Sequence, residues 1–249
     1  MTLTYIFHSG FALETTSAIL VFDYWLDPAD VIGRILKSDK HLYVFASHFH
    51  EDHFSRHILE WRKQKPDITY ILSKDIMRHR RTRQDEADVW LAKGGFWQDK
   101  NLEVYATGSN DSGVSWVVSI EGKLIFHAGD LNNWYARFLA EDSGEIIYSE
   151  EMDEEVDPVQ EEKHFLGELK DIRKITSSFD LVMFPVDGRI GNGYTRGGRQ
   201  FLERFQVGMF VPMHFVVSGF ESAWRMKEFT DIKKIPFWCI RKEGEQIRL

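Results

Sequence analysis

The sequence predicts an α/β protein, a four-layer αββα sandwich in which two mixed β-sheets carry helices on their outer faces. Three observations support this fold class. The 249-residue chain is 43% hydrophobic and 14% aromatic, enough apolar material for one large core. Short apolar or alternating runs typical of strands recur along the whole chain. The early runs follow one another as hairpins, whereas the later ones alternate with helical patterns. We therefore expect one domain over residues 1–249.

The elements follow from the periodicity of apolar residues. Before residue 130, strand patterns cover 3–8, 11–15, 18–23, 41–47, 68–72, 102–107, 114–121 and 123–128. After it, they cover 179–185, 209–213, 236–241 and 245–248. Glu121-Gly122-Lys123 predicts a tight hairpin turn, because glycine adopts a positive φ at little cost. Helical patterns cover 28–37, 55–64, 75–92, 158–177, 197–206 and 220–230.

Composition excludes several classes of function. The chain has 31 basic and 39 acidic residues and a net charge of -8, which disfavours a partner rich in phosphate such as nucleic acid. Its single cysteine, Cys239, excludes an internal disulfide framework and a multi-cysteine zinc site. No run of eighteen apolar residues predicts a membrane helix, and residues 1–5 lack the pattern of a signal peptide. We expect a soluble cytoplasmic protein with a small-molecule substrate and no membrane partner.

The strongest chemical signal is His48-Phe49-His50-Glu51-Asp52-His53, directly after the apolar run 42–46. His48 and His50 are two residues apart, so an extended backbone directs both imidazoles to the same side. Asp52 and His53 then turn into the next predicted helix. Neutral imidazoles and a carboxylate suit a divalent cation such as Zn²⁺ with one coordination position open to water.

This run matches the H-x-H-x-D-H motif, and the sequence resembles the metallo-β-lactamase-fold hydrolase superfamily over nearly its whole length. Phe126-His127-Ala128-Gly129-Asp130 resembles its Gly-Asp motif, and Pro212-Met213-His214-Phe215 resembles its last metal histidine. The resemblance implies the following metal ligands: His48 and His50 in a first site, Asp52, His53 and His214 in a second, and Asp130 as the bridge.

Asp23 ends an early strand and matches the superfamily's first motif. The resemblance implies that this carboxylate orients the metal-ligand loop as a hydrogen-bond acceptor. The alternative is that Asp23 only caps a turn.

One expected ligand is missing from the first site. Between His53 and Asp130 the superfamily supplies a further histidine, and the branch that contains L-ascorbate 6-phosphate lactonase has it in the loop equivalent to 106–113. Here Asp111 is the nearest usable donor in that loop. Either Asp111 replaces the imidazole, or the first site is weak, or the protein holds one metal instead of two. A carboxylate in this position would favour Mn²⁺ or Fe²⁺ over Zn²⁺.

Four further residues each allow two interpretations. His127 either packs in the interior or supports the site, and His8, which ends the first predicted strand where relatives also have a histidine, has the same two interpretations. Asp187 and Arg189 follow a strong strand in a glycine-rich loop. Asp187 could lie near the metals, and Arg189 could bind an anionic group of a substrate or be an ordinary surface arginine.

The aromatic residues Trp90, Phe96, Trp97, Trp134 and Tyr135 could line a pocket or form the interface of a homo-oligomer, with core packing as the default interpretation. The resemblance implies a hydrolase that uses a metal-bound hydroxide, oriented by Asp52, on a small anionic ester, lactone or phosphodiester. Two alternatives stay open. The missing histidine would suit a non-catalytic protein that binds a metabolite, and a carboxylate at Asp111 would suit a di-iron oxidoreductase.

Overall fold

A computed structural model describes residues 1–140, 143–149, 152–153 and 155–249. The strands are β1 (Thr2–Phe7), β2 (Gly10–Glu14), β3 (Ala18–Phe22), β4 (His41–Ala46), β5 (Ile68–Ser73), β6 (Val89–Leu91), β7 (Phe96–Gln98), β8 (Leu102–Gly108), β9 (Val114–Ile120), β10 (Lys123–His127), β11 (Ser178–Phe179), β12 (Leu181–Pro185), β13 (Gln206–Val207), β14 (Phe210–Met213) and β15 (Gln246–Arg248). The α-helices are α1 (Val31–Ile35), α2 (Lys74–Arg78), α3 (Pro158–Arg173), α4 (Arg196–Leu202), α5 (Phe220–Ala223) and α6 (Met226–Lys233). Short 3-10 helices cover Arg56–Lys63, Gln84–Glu86, Ala136–Phe138 and Gly188–Ile190.

Both large sheets are mixed, as predicted. The first has the order β15-β1-β2-β3-β4-β5-β6, antiparallel up to β3 and parallel from β3 to β6. The second has the order β14-β12-β10-β9-β8-β7, parallel from β14 to β10 and antiparallel beyond it. The carboxyl ends of β1, β3, β4, β8, β10, β12 and β14 therefore lie at one edge of the two sheets. Ligand sites in α/β folds commonly lie at such an edge.

The period-2 alternation of strand residues divides the core. In β4, Tyr43 and Phe45 belong to the main core, which also contains β8, β9, β10, α3 and α4. Leu42 and Val44, on the other face of the same strand, pack with α1, α2 and the 3-10 helix Arg56–Lys63. Each sheet therefore has helices on its outer face, and the predicted fold class is confirmed.

The predicted helix at 75–92 is wrong. Helix α2 ends at Arg78, Arg80 has a φ of 57°, and residues 89–91 form β6 beside β5. Arg78, Arg80, Arg81 and Arg83 crowd this segment with positive charge, which disfavours a continuous helix. The β-branched and aromatic residues of β6 gain more from pairing with the edge of the sheet.

Three further strand assignments differ from the predictions. The strands β7 and β13 lie outside the predicted ranges, and 236–241 forms only an isolated bridge between Phe237 and Phe210 instead of a strand. Short apolar runs are ambiguous because the pairing partner, which is remote in sequence, decides their structure. In the described part of the chain, no helix combines the length and apolar character that crossing a bilayer requires.

Candidate metal centre

Asp23 organises the loop that carries the H-x-H-x-D-H motif. This carboxylate is fully buried at the end of β3 and accepts hydrogen bonds from the Ser47 amide at 2.8 Å, the Ser47 hydroxyl at 2.6 Å and His53 Nδ1 at 2.7 Å. Ser47 Oγ gives its proton to Asp23, so it accepts the Nδ1 proton of His48, at 2.9 Å. His48 and His53 thus both carry the proton on Nδ1, which leaves the Nε2 lone pair free on each ring.

His214 has the same arrangement from another strand. It follows β14, and its Nδ1 lies 2.9 Å from Asp187 Oδ2 at the end of β12. Arg189 contacts both oxygens of Asp187, with Nε–Oδ1 and Nη2–Oδ2 distances of 3.1 and 2.6 Å. A carboxylate on the far nitrogen of a histidine is the usual device that orients a metal-binding imidazole. Asp187 therefore supports His214, and Arg189 anchors Asp187.

The structure brings the possible metal ligands into two groups. The His48 group consists of His48, His50 and Asp130, and the His8 group consists of His8, Asp52, His53 and His214. Within each group the ligand atoms lie within 4.8 Å of one another. Asp130 joins the two groups, since its Oδ2 lies 3.2 Å from His48 Nε2 and its Oδ1 lies 3.0 Å from His53 Nε2 and 3.4 Å from His214 Nε2. The predicted bridging residue thus lies between the predicted ligands of both sites.

Asp111 lies beside these groups but outside both of them. It follows β8, lines the same pocket as His50 and Asp130, and interacts electrostatically with His48 and His50. The side chain of Asn110 binds the backbone of Asn132 in both directions, at 2.9 and 3.2 Å, and ties the Asp111 loop to the segment after Asp130. Asp111 is therefore near the place where the third imidazole of the first site is missing.

His127 packs in the interior. It is fully buried, its ring stacks on Phe22 at a centroid distance of 5.2 Å, and its Nε2 donates to the Ser9 carbonyl at 2.9 Å. The Gly129 amide donates to His127 Nδ1 at 3.2 Å, so both ring nitrogens have a partner outside the metal groups. His127 thus fixes the turn that contains Ser9 instead of offering a lone pair to the site.

The electrostatic field of the centre favours a cation. Burial lowers the pKa of His53, but Asp130 and Asp23 outweigh it and the net pKa lies well above the usual value. Burial raises the pKa of Asp52, but His8 and His53 outweigh it and leave it below the usual value. Burial lowers the pKa of His8 to about 4, so this ring is neutral at neutral pH. For Asp111, burial and then Asp130 raise the pKa.

The donor set suits a divalent metal ion. Within the described residues, His48 Nε2, His53 Nε2, His214 Nε2 and Asp130 Oδ1 are buried and have no hydrogen-bond partner. An unpartnered buried polar atom costs about 1–3 kcal/mol. Several such atoms facing one another, with neutral imidazoles and carboxylates as the donors, form a typical zinc, manganese or iron ligand set.

A pocket of about 400 Å³ opens onto both groups. Trp134, Tyr135 and Arg189 line it and also line an adjoining pocket of about 280 Å³. Trp134 Nε1 donates to the Asp130 carbonyl at 2.8 Å, which holds the indole beside His214. The pocket therefore has an aromatic wall, formed by Trp134 and Tyr135, and the Arg189 guanidinium beside the possible metal ligands.

Sequence reasoning left His8 between two roles and assigned Trp134 and Tyr135 to the core by default. A histidine at the carboxyl end of a strand was the available signal for His8. The strand order then places His8 beside the H-x-H-x-D-H loop, because β1 ends at the same edge as β3 and β4. The segment after Asp130 has no periodicity, so no sequence pattern directed Trp134 and Tyr135 to the pocket.

Solved structures share this fold across the whole chain. A metallo hydrolase, Igni18, from the archaeon Ignicoccus hospitalis is 15% identical with a TM-score of 0.67, covering 99% of this chain and 97% of that one. The metallo-β-lactamase fold protein YhfI from Bacillus subtilis is 12% identical with a TM-score of 0.61, covering 99% and 98%. CmlA, a diiron β-hydroxylase from Streptomyces venezuelae, is 11% identical with a TM-score of 0.63, covering 100% of this chain and 54% of its own. No protein-family model and no curated protein matches the sequence. At these identities the likeness establishes the metallo-β-lactamase fold.

Proposed function

We propose that this protein is a metal-dependent hydrolase of a small anionic ester, lactone or phosphodiester. The observation that carries the proposal is the pair of ligand groups joined by Asp130, whose buried imidazole lone pairs face one another beside an open pocket. The structural neighbour Igni18 is a metallo hydrolase with the same fold, which supports this choice of reaction class.

The residues of the chain have distinct parts in such a reaction. When bound, a divalent cation lowers the pKa of a coordinated water to about 7 and polarises a carbonyl or phosphoryl oxygen. Asp23 and Asp187 hold His53 and His214 in the tautomer that coordinates through Nε2. Asp52 is ionised, and 31% of its side chain is exposed where it lines the pocket. Asp52 can therefore accept a proton from the attacking water and orient it.

The pocket supports an anionic substrate of modest size. The Arg189 side chain is 47% exposed and held by Asp187 at the pocket, so its remaining donors can bind a carboxylate or phosphate. Trp134 and Tyr135 form the wall next to it. The net charge of -8 disfavours a nucleic-acid substrate. The resemblance to the L-ascorbate 6-phosphate lactonase branch supports this choice of a small anionic ester, lactone or phosphodiester.

Turnover by protein of known metal content tests the proposal. Protein loaded with Zn²⁺ or Mn²⁺ is assayed with an aryl ester, an aliphatic lactone and bis(4-nitrophenyl) phosphate. We expect metal-dependent hydrolysis of at least one, lowered by a factor of 10² or more in Asp52→Ala, and unchanged in His164→Ala, whose side chain is 56% exposed on α3. Full activity in Asp52→Ala contradicts the mechanism. Saturable binding of an anionic metabolite without turnover of any ester would favour the non-catalytic alternative.

Asp111 supports a second candidate function, a di-iron oxygenase. It places a carboxylate beside His48 and His50 where an imidazole was expected, and the neighbour CmlA is a diiron hydroxylase. Carboxylate ligands favour iron over zinc. Oxygen uptake by the Fe²⁺-loaded protein with an external reductant, without ester hydrolysis, would select this candidate over the hydrolase.

A further inference from the structure

His8 occupies the metal centre through a backbone conformation that several hydrogen bonds maintain. It is a non-glycine residue with a φ of 55°, which L-residues adopt at a cost. Its amide donates to Tyr5 Oη at 2.8 Å, its carbonyl accepts from the His214 amide at 3.2 Å, and the next carbonyl, of Ser9, accepts from His127 at 2.9 Å. Strain that surrounding contacts maintain in this way is typical of functional positions.

The His8 ring faces the other members of the His8 group. Its Nε2 lies 3.2 Å from Asp52 Oδ2, and its centroid lies 4.1 Å from that of His214. Only 2% of the residue is exposed, and neither ring nitrogen has a hydrogen bond of good geometry in the described residues. The buried Nε2 that faces this group would destabilise the fold unless it has a ligand to bind.

Three distances among this group and Asp130 fit a single coordination sphere. Two ligand atoms that are each about 2.1 Å from one ion lie about 3.0–3.4 Å apart at octahedral or tetrahedral angles. The Asp130 Oδ1 distances to His53 Nε2 and His214 Nε2 are 3.0 and 3.4 Å. His8 Nε2 lies 3.2 Å from Asp52 Oδ2, within the same range. The Asp52 Oδ2 distances to His53 Nε2 and His214 Nε2 are longer, 3.9 and 3.8 Å, and would require a wider angle at the ion.

We infer that His8 is a ligand of the second metal ion, which then has His8, Asp52, His53, His214 and Asp130 around it and is bound more tightly than the first. The inference rests on the metal centre of the proposed function. The His48 group provides three protein ligands, or four with Asp111. The second ion thus has more protein ligands than the first, which keeps more positions open to water and substrate. Catalytic metal sites typically have fewer protein ligands than structural ones and keep a position for water.

His8 could instead act only as a hydrogen-bond donor to Asp52. Two variants of matched length separate the roles. His8→Gln keeps an N–H donor but offers a weak ligand, whereas His8→Glu keeps a strong ligand but offers no donor when ionised. Both meet the same backbone cost at a φ of 55°. His8→Ala removes both capacities, and His164→Ala, with a side chain that is 56% exposed on α3, is the control.

Isothermal titration of metal-free protein with Zn²⁺, checked by chelator competition, tests the inference without an activity assay. We expect two binding events in the wild type. His8→Ala and His8→Gln weaken the tighter event at least 10-fold, His8→Glu recovers most of that loss, and His50→Ala weakens only the other event. Circular dichroism of the metal-free variants confirms that they fold.

Four results overturn the inference. The first is that His8→Ala binds zinc in the tighter event as strongly as the wild type, and the second is that His8→Gln recovers this affinity. The third is that all three His8 variants lose the same affinity, and the fourth is that only the weaker event loses affinity. Its failure is distinguishable from failure of the proposed function. If the tight site depends on His8 but the protein hydrolyses no substrate, His8 is a metal ligand and the hydrolase proposal fails. If the wild type hydrolyses a substrate and the His8 variants keep the tight site unaltered, the hydrolase proposal stands and the inference about His8 fails.

Discussion

Gly113 sets how closely the β8–β9 turn approaches the H-x-H-x-D-H loop, and Gly113→Ala tests this contact. Gly113 has a φ of 63°. A Cβ atom there would lie 2.1 Å from the Ser47 carbonyl oxygen and 2.5 Å from His48 Cβ, about 1 Å inside van der Waals contact. To relieve this overlap, the β8–β9 turn would have to move away from Ser47. That movement would break the hydrogen bond from the Val114 amide to the Ser47 carbonyl, which is 3.0 Å long.

Gly122→Ala is the matched control for backbone strain. Gly122 has a φ of 72°, and a Cβ atom there has no neighbour within 4 Å. We expect Gly122→Ala to lower the free energy of unfolding by about 1 kcal/mol, the cost of the left-handed conformation. Gly113→Ala adds about 1–3 kcal/mol for overpacking and about 1 kcal/mol for the lost hydrogen bond. The expected total is about 3–5 kcal/mol.

Urea unfolding of the metal-free proteins measures this difference, and zinc titration measures its effect on the centre. Because His48 would move with Ser47, Gly113→Ala should also weaken the zinc-binding event that depends on His50, whereas Gly122→Ala should not. Equal free energies of unfolding for the two variants, within about 0.5 kcal/mol, would refute the steric reasoning. A large loss of stability with unaltered zinc binding would refute the coupling between Gly113 and His48.

Three further predictions concern the centre and its pH dependence. Asp187→Asn should weaken zinc binding about 10-fold in calorimetry, because His214 loses its orienting carboxylate. The control is Asp180→Asn, which removes the exposed ion pair to Lys123 and keeps an oxygen that can accept from the Leu124 amide. Asp111→His should raise the ratio of bound Zn²⁺ to Mn²⁺ in elemental analysis of protein equilibrated with both ions, because imidazole is the softer ligand; an unchanged ratio would place Asp111 outside the coordination sphere. For Glu121, burial raises the pKa, but hydrogen bonds from Ser17 and Thr16 outweigh it and lower the pKa to about 2. A carboxyl group whose pKa is lowered by folding stabilises the fold above its unfolded pKa, and this contribution is lost as the pH falls through the folded value. We therefore expect Glu121→Gln to lower the free energy of unfolding by about 1 kcal/mol at pH 6, discounted for solvent exposure, and by progressively less from pH 4 to pH 2 in urea titrations; a pH-independent difference would contradict this.

Local spacing carried the most reliable predictions. The fold class was recognisable because apolar periodicity depends on neighbouring residues alone. The H-x-H-x-D-H run was recognisable from its local spacing as well, although β4 ends at Ala46 and His48 and His50 lie in a bend instead of the extended backbone that we expected. The prediction of a helix over 75–92 was wrong because part of this segment pairs with the edge of β5, a partner that no local pattern reveals.

The sequence by itself determined the residue types of a metal centre and the strands whose ends would carry them. Only the tertiary structure decided which ends meet. His8, Asp111, Asp130 and His214 come from β1, β8, β10 and β14, and their distances follow from the strand order and from the packing of one sheet on the other. The roles of His8 and of Trp134 depend on approaches of a few ångströms between segments remote in sequence. Such distances are set by close packing of the whole core, which no single segment specifies.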